Sequence, residues 1–187
     1  MEKVLLIIVD AQYDFCDPSG SLYVPGAEKA VEKITELIRE NLVTDIIFTV
    51  DWHPTNHCSF PENGGPWPVH CVEYSKGAAI EQPILDVVRD LGIPYKVVKK
   101  GCKDYLEEYG AFSDFVSQME IGEKFEDHKI IVCGVAGDFC VMSTLKNLNE
   151  FLVTDNLSVY LPGIASIDGG EKIRDYIDKN KIKEFTL

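Results

Sequence analysis

The sequence predicts a three-layer α/β fold, a parallel sheet with helices on both faces, and three observations carry this. Short runs rich in β-branched residues alternate with stretches whose apolar residues recur every three to four positions. Two of the runs, Val4 to Val9 and Ile130 to Cys133, are continuously apolar, as strands covered on both faces are. The runs stop abruptly at Asp10, Asp51 and Gly134. In open α/β sheets that carboxyl edge is where ligands bind. A chain of 187 residues is expected to form one domain, 1–187, with a sizeable core.

Taken in order, Val4 to Val9 is the first strand and Asp10 its end. Ala11 to Gly26 is a long loop of the kind that carries function; within it Asp14 is the better helix cap, which leaves Asp10 for chemistry. Ala27 to Glu40 is a helix with Ala27, Ile34, Leu37 and Ile38 toward the core. Asp45 to Val50 is the next strand, again ending on a carboxylate, Asp51. Pro83 to Leu91 is a short helix with proline in its first turn and Ile84, Val87, Val88 and Leu91 on one face, ended by Gly92. Ile93 to Val98 is a strand followed by Lys99 and Lys100. Strand alternation sends one lysine inward, and the following Gly101 favours Lys100. Tyr105 to Tyr109 is loop and Ala111 to Met119 helix. After Ile130 to Cys133, Gly134 and Gly137 make a tight turn. Val141, Thr144, Leu145 and Leu148 then mark a helix with Cys140 near its start. Leu157 to Leu161 is a strand ended by Pro162-Gly163, Gly170 to Lys179 the last helix, and Ile182 to Thr186 a short edge strand.

The net charge of −13 argues against nucleic acid or an anionic membrane as partner. No secretory pattern and no apolar stretch of membrane-spanning length occurs. The six cysteines are irregularly spaced, which reads as reduced thiols in a cytoplasmic protein.

Asp51 and His53 lie two apart in an extended segment and point to the same side. His70 can close on them after the loop. Three of the four histidines fall within residues 51–70. Two imidazoles and a carboxylate with open positions suit Zn²⁺, with Fe²⁺ or Mn²⁺ as alternatives. A structural zinc site would recruit thiolates, so a water-bearing site ranks ahead of one using Cys58 and Cys71. His57 ranks below the other ligands, and His128 is expected to be solvated. A cysteine at a helix start meets unpaired N–H groups and a positive dipole end, which lower a thiol's pKa and can hold an oxyanion. This separates Cys140 from Cys133, which reads as a packing residue inside its strand. Asp10, Lys100 and Cys140 come from separate strand ends and can converge. The carboxylate can then take the thiol's proton, with the ammonium steadying the carboxylate.

The segments Asp10-Ala-Gln-Tyr-Asp-Phe15, Asp51-Trp-His53-Pro, Trp67-Pro-Val-His70-Cys, Lys100-Gly101, Tyr109-Gly-Ala-Phe112 and Gly134-Val-Ala-Gly-Asp-Phe-Cys140-Val resemble the isochorismatase-like cysteine hydrolases, in their nicotinamidase (pyrazinamidase) branch. The resemblance implies a six-stranded, mainly parallel sheet and the hydrolysis of nicotinamide to nicotinate and ammonia. It implies Asp10 as base and later acid, Cys140 as nucleophile forming a thioester, and Lys100 completing the triad. The N–H groups of Ala136 and Cys140 would hold the oxyanion, with a cis peptide between Val135 and Ala136. Asp51, His53 and His70 would bind the ion, which takes the ring nitrogen, while Phe15, Trp67 and Tyr109 wall the ring. A homo-oligomer is compatible with it. Gly137 stands where the family usually has threonine, and Gly110 where it often has serine. Two rivals remain at this point: the same triad acting on another small amide or ureido substrate, and a non-catalytic zinc- or nucleotide-binding module.

Overall fold

The computed structural model of the protein describes residues 2–114, 121–122, 124–151 and 156–187. Its centre is a strand pair of nearly pure hydrocarbon. Strand β1 (Val4–Val9) is buried along its whole length, and β4 (Lys129–Gly134) is exposed only at Lys129. They pair in parallel from Val4–Lys129 to Val9–Gly134. On one side of them lie β2 (Asp45–Asp51) and β3 (Tyr95–Lys100). On the other lie β5 (Leu157–Ile164) and the short β6 (Lys183–Glu184). The order β3-β2-β1-β4-β5-β6 is parallel throughout, as expected.

The side chains of β1 alternate between two cores, which makes the three layers. Val4, Leu6 and Ile8 pack with α2 (Ala27–Arg39) and α3 (Gln82–Leu91), through Ile34, Leu37, Ile38, Ile84 and Val88. Leu5, Ile7 and Val9 pack with α4 (Met142–Phe151) and α5 (Glu171–Asn180), through Leu145, Leu148, Ile173 and Ile177. The chain leaves β1 toward β2 on one side and reaches β4 on the other. The carboxyl ends of β1, β2 and β4 therefore border a topological switch point.

Five expectations need correction or stand apart. A one-turn helix, α1 (Tyr13–Cys16), interrupts the loop after Asp10, and Asp14 does not cap it. Its carboxylate instead accepts N–H bonds from Ser21 (3.2 Å) and Cys71 (2.8 Å), tying two loops together. Strand β5 does not stop at Pro162-Gly163 but runs through them to Ile164, with a shift of register against β4 between Val132 and Gly134. Leu91 is 43% exposed, because Gly92 ends α3 before that turn packs. His128 is buried rather than solvated, lying at the amino edge of the sheet with Asp127 at 2.9 Å and Asp45 at 3.4 Å. The helix expected from Ala111 to Met119 falls largely outside the described residues. Among the described residues no helix is long and apolar enough to cross a membrane.

Candidate active site

The sheet's register brings the strand-end residues together. Asp51 is the direct rung partner of Lys100 across β2 and β3, and Val9 pairs with both Thr49 and Gly134. Asp10 follows Val9 in a left-handed conformation, φ 47°. Such a turn is costly for a residue with a side chain and is held by its surroundings. Here the Asp10 N–H donates to the Thr49 carbonyl (3.0 Å), and the Thr49 hydroxyl donates to Asp10 Oδ1 (2.7 Å).

Lys100 is the hub. Its Nζ lies 2.8 Å from Asp10 Oδ2, bonds Asp51 Oδ1 closely, and lies 3.5 Å from Cys140 Sγ. All four side chains are buried. Burial pulls an ammonium toward neutrality, but the two carboxylates outweigh it and hold Lys100 well above its ordinary value. Lys99 points away, its ammonium 3.8 Å from the centre of the Trp52 ring, as alternation requires.

Cys140 departs from expectation. It sits not in the first turn of a regular helix but in a π-turn, Gly137–Val141, that leads into α4. Burial pushes its thiol well above the ordinary value, Lys100 works against that, and Asp10 adds to it. Removal from water outweighs any help from a helix end, so the sulfur keeps its proton in the free pocket. Burial likewise raises Asp10, opposed by Lys100. A carboxylate oxygen of Asp10 and one of Asp51 lie with Cys140 Sγ within 4.8 Å of one another.

Asp51, His53 and His70 present donor atoms that lie within 4.8 Å of one another. His53 Nδ1–H donates to the Gly101 carbonyl (2.9 Å) and His70 Nδ1–H to that of Pro68 (2.7 Å). Each ring therefore turns its Nε2 toward Asp51 Oδ2, at 3.5 and 3.8 Å; burial works against charge on His53, but Asp51 outweighs it and raises that ring. His53 Nε2 is buried without a hydrogen-bond partner among the described residues. An orphaned imidazole nitrogen, a second one beside it and a shared carboxylate are the donor set of a divalent ion. Burial lowers His70, which keeps it neutral as a ligand must be. Burial works against the charge of Asp51, but Lys100 and His53 together outweigh it and hold the carboxyl well below the usual range. Gly101 takes φ 62°, and a Cβ there would lie 2.4 Å from His53 Cε1, so only glycine admits the ring. His57 stands behind this set. It stacks on His53 with ring centres 4.0 Å apart, and both its nitrogens are engaged, with Ser59 Oγ (2.7 Å) and the Leu106 carbonyl (3.1 Å).

These groups open onto a cleft of about 400 Å³, mouth included, walled by Phe15, Leu22, Val24, Trp67, Tyr109 and Phe139, with Ala136 and Cys140 at its base. The Trp67 indole N–H donates to the Tyr109 hydroxyl (3.0 Å), and Phe139 meets the Trp67 ring edge-on at 5.1 Å. A flat apolar slot ending on polar groups fits an aromatic ring with one polar substituent. The Val135–Ala136 peptide is cis. The Ala136 N–H makes no backbone hydrogen bond among the described residues, which leaves it free for a ligand.

The structure places Asp10, Asp51, His53, His70, Lys100, Ala136 and Cys140 around one cleft walled by Phe15, Trp67 and Tyr109; sequence reasoning missed several supports. Gln12 clasps the Asp51 backbone from both sides, Nε2 to its carbonyl and Oε1 from its N–H, each at 2.8 Å. It thereby fixes the end of β1 against the end of β2. Thr49 and Gln12 are fully buried polar residues at strand ends, a signal available only once burial is known. Glu107 and Ile167 also line the cleft; burial raises Glu107, and Asp51 adds to the effect.

A model of the isochorismatase domain matches residues 4–150. The nicotinamidase of Saccharomyces cerevisiae is 32% identical over 173 residues, covering 74% of this chain and 78% of that one. The pyrazinamidase of Pyrococcus horikoshii, solved in complex with zinc, superposes with a TM-score of 0.80 at 29% identity over 100% of both chains. A protein of L. infantum, solved in complex with nicotinate, gives 0.84 at 28% identity over 99% of this chain and 92% of that one. Sheet, cleft and relatives together define an α/β amidohydrolase. The chain belongs to the isochorismatase-domain family and sits in its nicotinamidase and pyrazinamidase branch.

Proposed function

We propose that this chain, acting as a single domain, hydrolyses nicotinamide, and by the same route pyrazinamide, to the ring carboxylate and ammonia. One observation carries the reading: a single buried ammonium, Lys100, touches Asp10 (2.8 Å), Asp51 and the Cys140 sulfur (3.5 Å) at the base of an aromatic slot. The relatives' names supply the amide, and the slot's shape supports it.

Asp10 takes the proton from Cys140 Sγ. Burial raises both groups and Lys100 opposes the rise in each, so the ammonium stabilises whichever anion results as the proton moves. The thiolate attacks the carboxamide carbon. The N–H groups of Ala136 and Cys140 receive the oxyanion. Asp10 returns its proton to the departing nitrogen, ammonia leaves, and a thioester remains on Cys140. Asp10 then takes a proton from water, the hydroxide displaces the sulfur, and the acid product leaves with the thiol restored. Phe15, Trp67 and Tyr109 sandwich the ring and orient the carboxamide toward Sγ. Asp51, His53 and His70 would hold Zn²⁺, or Fe²⁺ or Mn²⁺ in its place, which supplies a Lewis-acidic partner for the ring nitrogen when bound.

The test is ammonia release from nicotinamide, pyrazinamide and a carbamoyl substrate, with and without chelator. Cys140→Ala is expected to abolish release with fold and zinc content kept. Release by this variant above background, or turnover of the carbamoyl compound alone, would sink the reading.

A further inference from the structure

The segment that follows β5 is fastened to the turn that carries the nucleophile. The Gly137 N–H donates to the Ala165 carbonyl (2.8 Å), and the Ala165 N–H to the Gly134 carbonyl (3.3 Å). The Ile167 N–H donates to Asp138 Oδ1 (2.9 Å), and Asp138 is itself buried at 3% exposure. Gly137 makes the approach possible, since a Cβ there would lie 2.1 Å from Ser166 Oγ. Threonine, usual at this position in the family, would not fit beside Ser166 as it stands. Further along, the Lys172 ammonium lies 5.6 Å from the centre of the Phe139 ring. The residue brought forward by this fastening is Ile167. It lines the cleft together with Phe139 and Tyr109, yet is 46% exposed, so it stands at the mouth rather than the base.

We propose that Ile167 is a specificity-determining wall of the cleft, selecting for the size of substituents on the ring, and that Asp138 is the positioning residue that holds it there. A branched aliphatic side chain at the mouth narrows the space open to substituents on the ring. Its main chain is anchored by one side-chain acceptor, so removing that acceptor lets the wall retreat without touching Asp10, Lys100 or Cys140. This rests on the functional reading above.

The experiment measures KM and kcat for nicotinamide and for 5-methylnicotinamide in four variants. Ile167→Ala is expected to raise KM for nicotinamide roughly 3- to 10-fold, the effect of losing a few partly buried carbons. Its kcat should stay within about twofold, and its KM ratio should shift toward the methylated ring. Ile167→Val should move both in the same direction by less. Asp138→Ala should reproduce the shift in ratio, while Asp138→Asn, which keeps an acceptor, should retain the wild-type ratio. Unchanged KM values in Ile167→Ala overturn the wall, and loss of kcat without a change of ratio in Asp138→Ala overturns the positioning role. Nicotinate is also titrated against Trp67 fluorescence in a Trp52→Phe background. If wild-type protein releases no ammonia, the functional reading fails by itself. The titration then decides the wall: weaker nicotinate binding in Ile167→Ala supports it, and equal binding overturns it.

Discussion

Replacing Lys100 by methionine keeps the unbranched stem, one atom shorter, and removes the charge. Lys100 is 3% exposed and lies 2.8 Å from Asp10 and in close contact with Asp51. The variant buries two carboxyl groups with no cation between them. Removing one partner of a buried ion pair costs about 3–5 kcal/mol, because the charge left behind is uncompensated. For a domain of this size that is a fall in melting temperature of roughly 6 to 20 °C. The protein escapes part of the cost by protonating Asp10, which burial already pushes upward. A protonated Asp10 is no longer a base, so turnover should fall about 10²–10⁴-fold. The assay is thermal unfolding beside ammonia release, for Lys100→Met, Asp10→Asn and the double variant. The double variant should be more stable than Lys100→Met alone, because the amide removes the stranded charge. A Lys100→Met protein that melts at the wild-type temperature and keeps its turnover refutes the argument, as does a double variant whose losses simply add.

Three further outcomes follow from the same physics. His57→Ala removes the ring stacked on His53 and its link to Leu106. Zinc affinity should drop roughly 10–100-fold with the circular dichroism unchanged; equal affinity in a chelator competition would sever His57 from the ion site. Gly134→Ala puts a Cβ 2.0 Å from the Val9 carbonyl oxygen at φ 118°, and should cost at least about 3 kcal/mol in urea unfolding; an unshifted midpoint contradicts it. Asp168→Ala removes the acceptor of the Gly170 and Lys172 N–H groups at the start of α5, at about 1 kcal/mol. Burial works slightly against the Asp168 charge and those N–H groups outweigh it, so its folded pKa is lowered. Its contribution is therefore present above the ordinary carboxylate range and lost as pH falls through the folded value. The gap between variant and wild type should close in acid, and a gap that persists there would show that the carboxylate charge is not its source.

The sheet was legible in the sequence because strands buried on both faces leave uninterrupted apolar runs, as in Val4–Val9. The strand-end residues were legible because a charge directly after such a run has few places to go. Other features had no local signal. The continuation of β5 through Pro162-Gly163 depends on a register shift against β4, and nothing in the two residues themselves announces it. The burial of His128 depends on Asp45 and Asp127 meeting it from other segments. The raised thiol of Cys140 shows the same limit. Its place near a helix start is a local fact, but its desolvation comes from the whole pocket. Ile167 lay in a stretch without any motif, and its N–H meets Asp138, almost thirty residues earlier.

The rung that joins Asp51 to Lys100 has a consequence for how such a protein can be altered. Backbone bonds of the sheet hold the pair, so the lengths of the connections on either side do not enter into its spacing. Outside His57, Trp67, His70, Cys71, Glu107 and Tyr109, which the site itself uses, segments 54–80 and 102–112 can be varied to reshape what enters the cleft. The ammonium stays beside its carboxylates so long as the last rungs of the ladder are left alone.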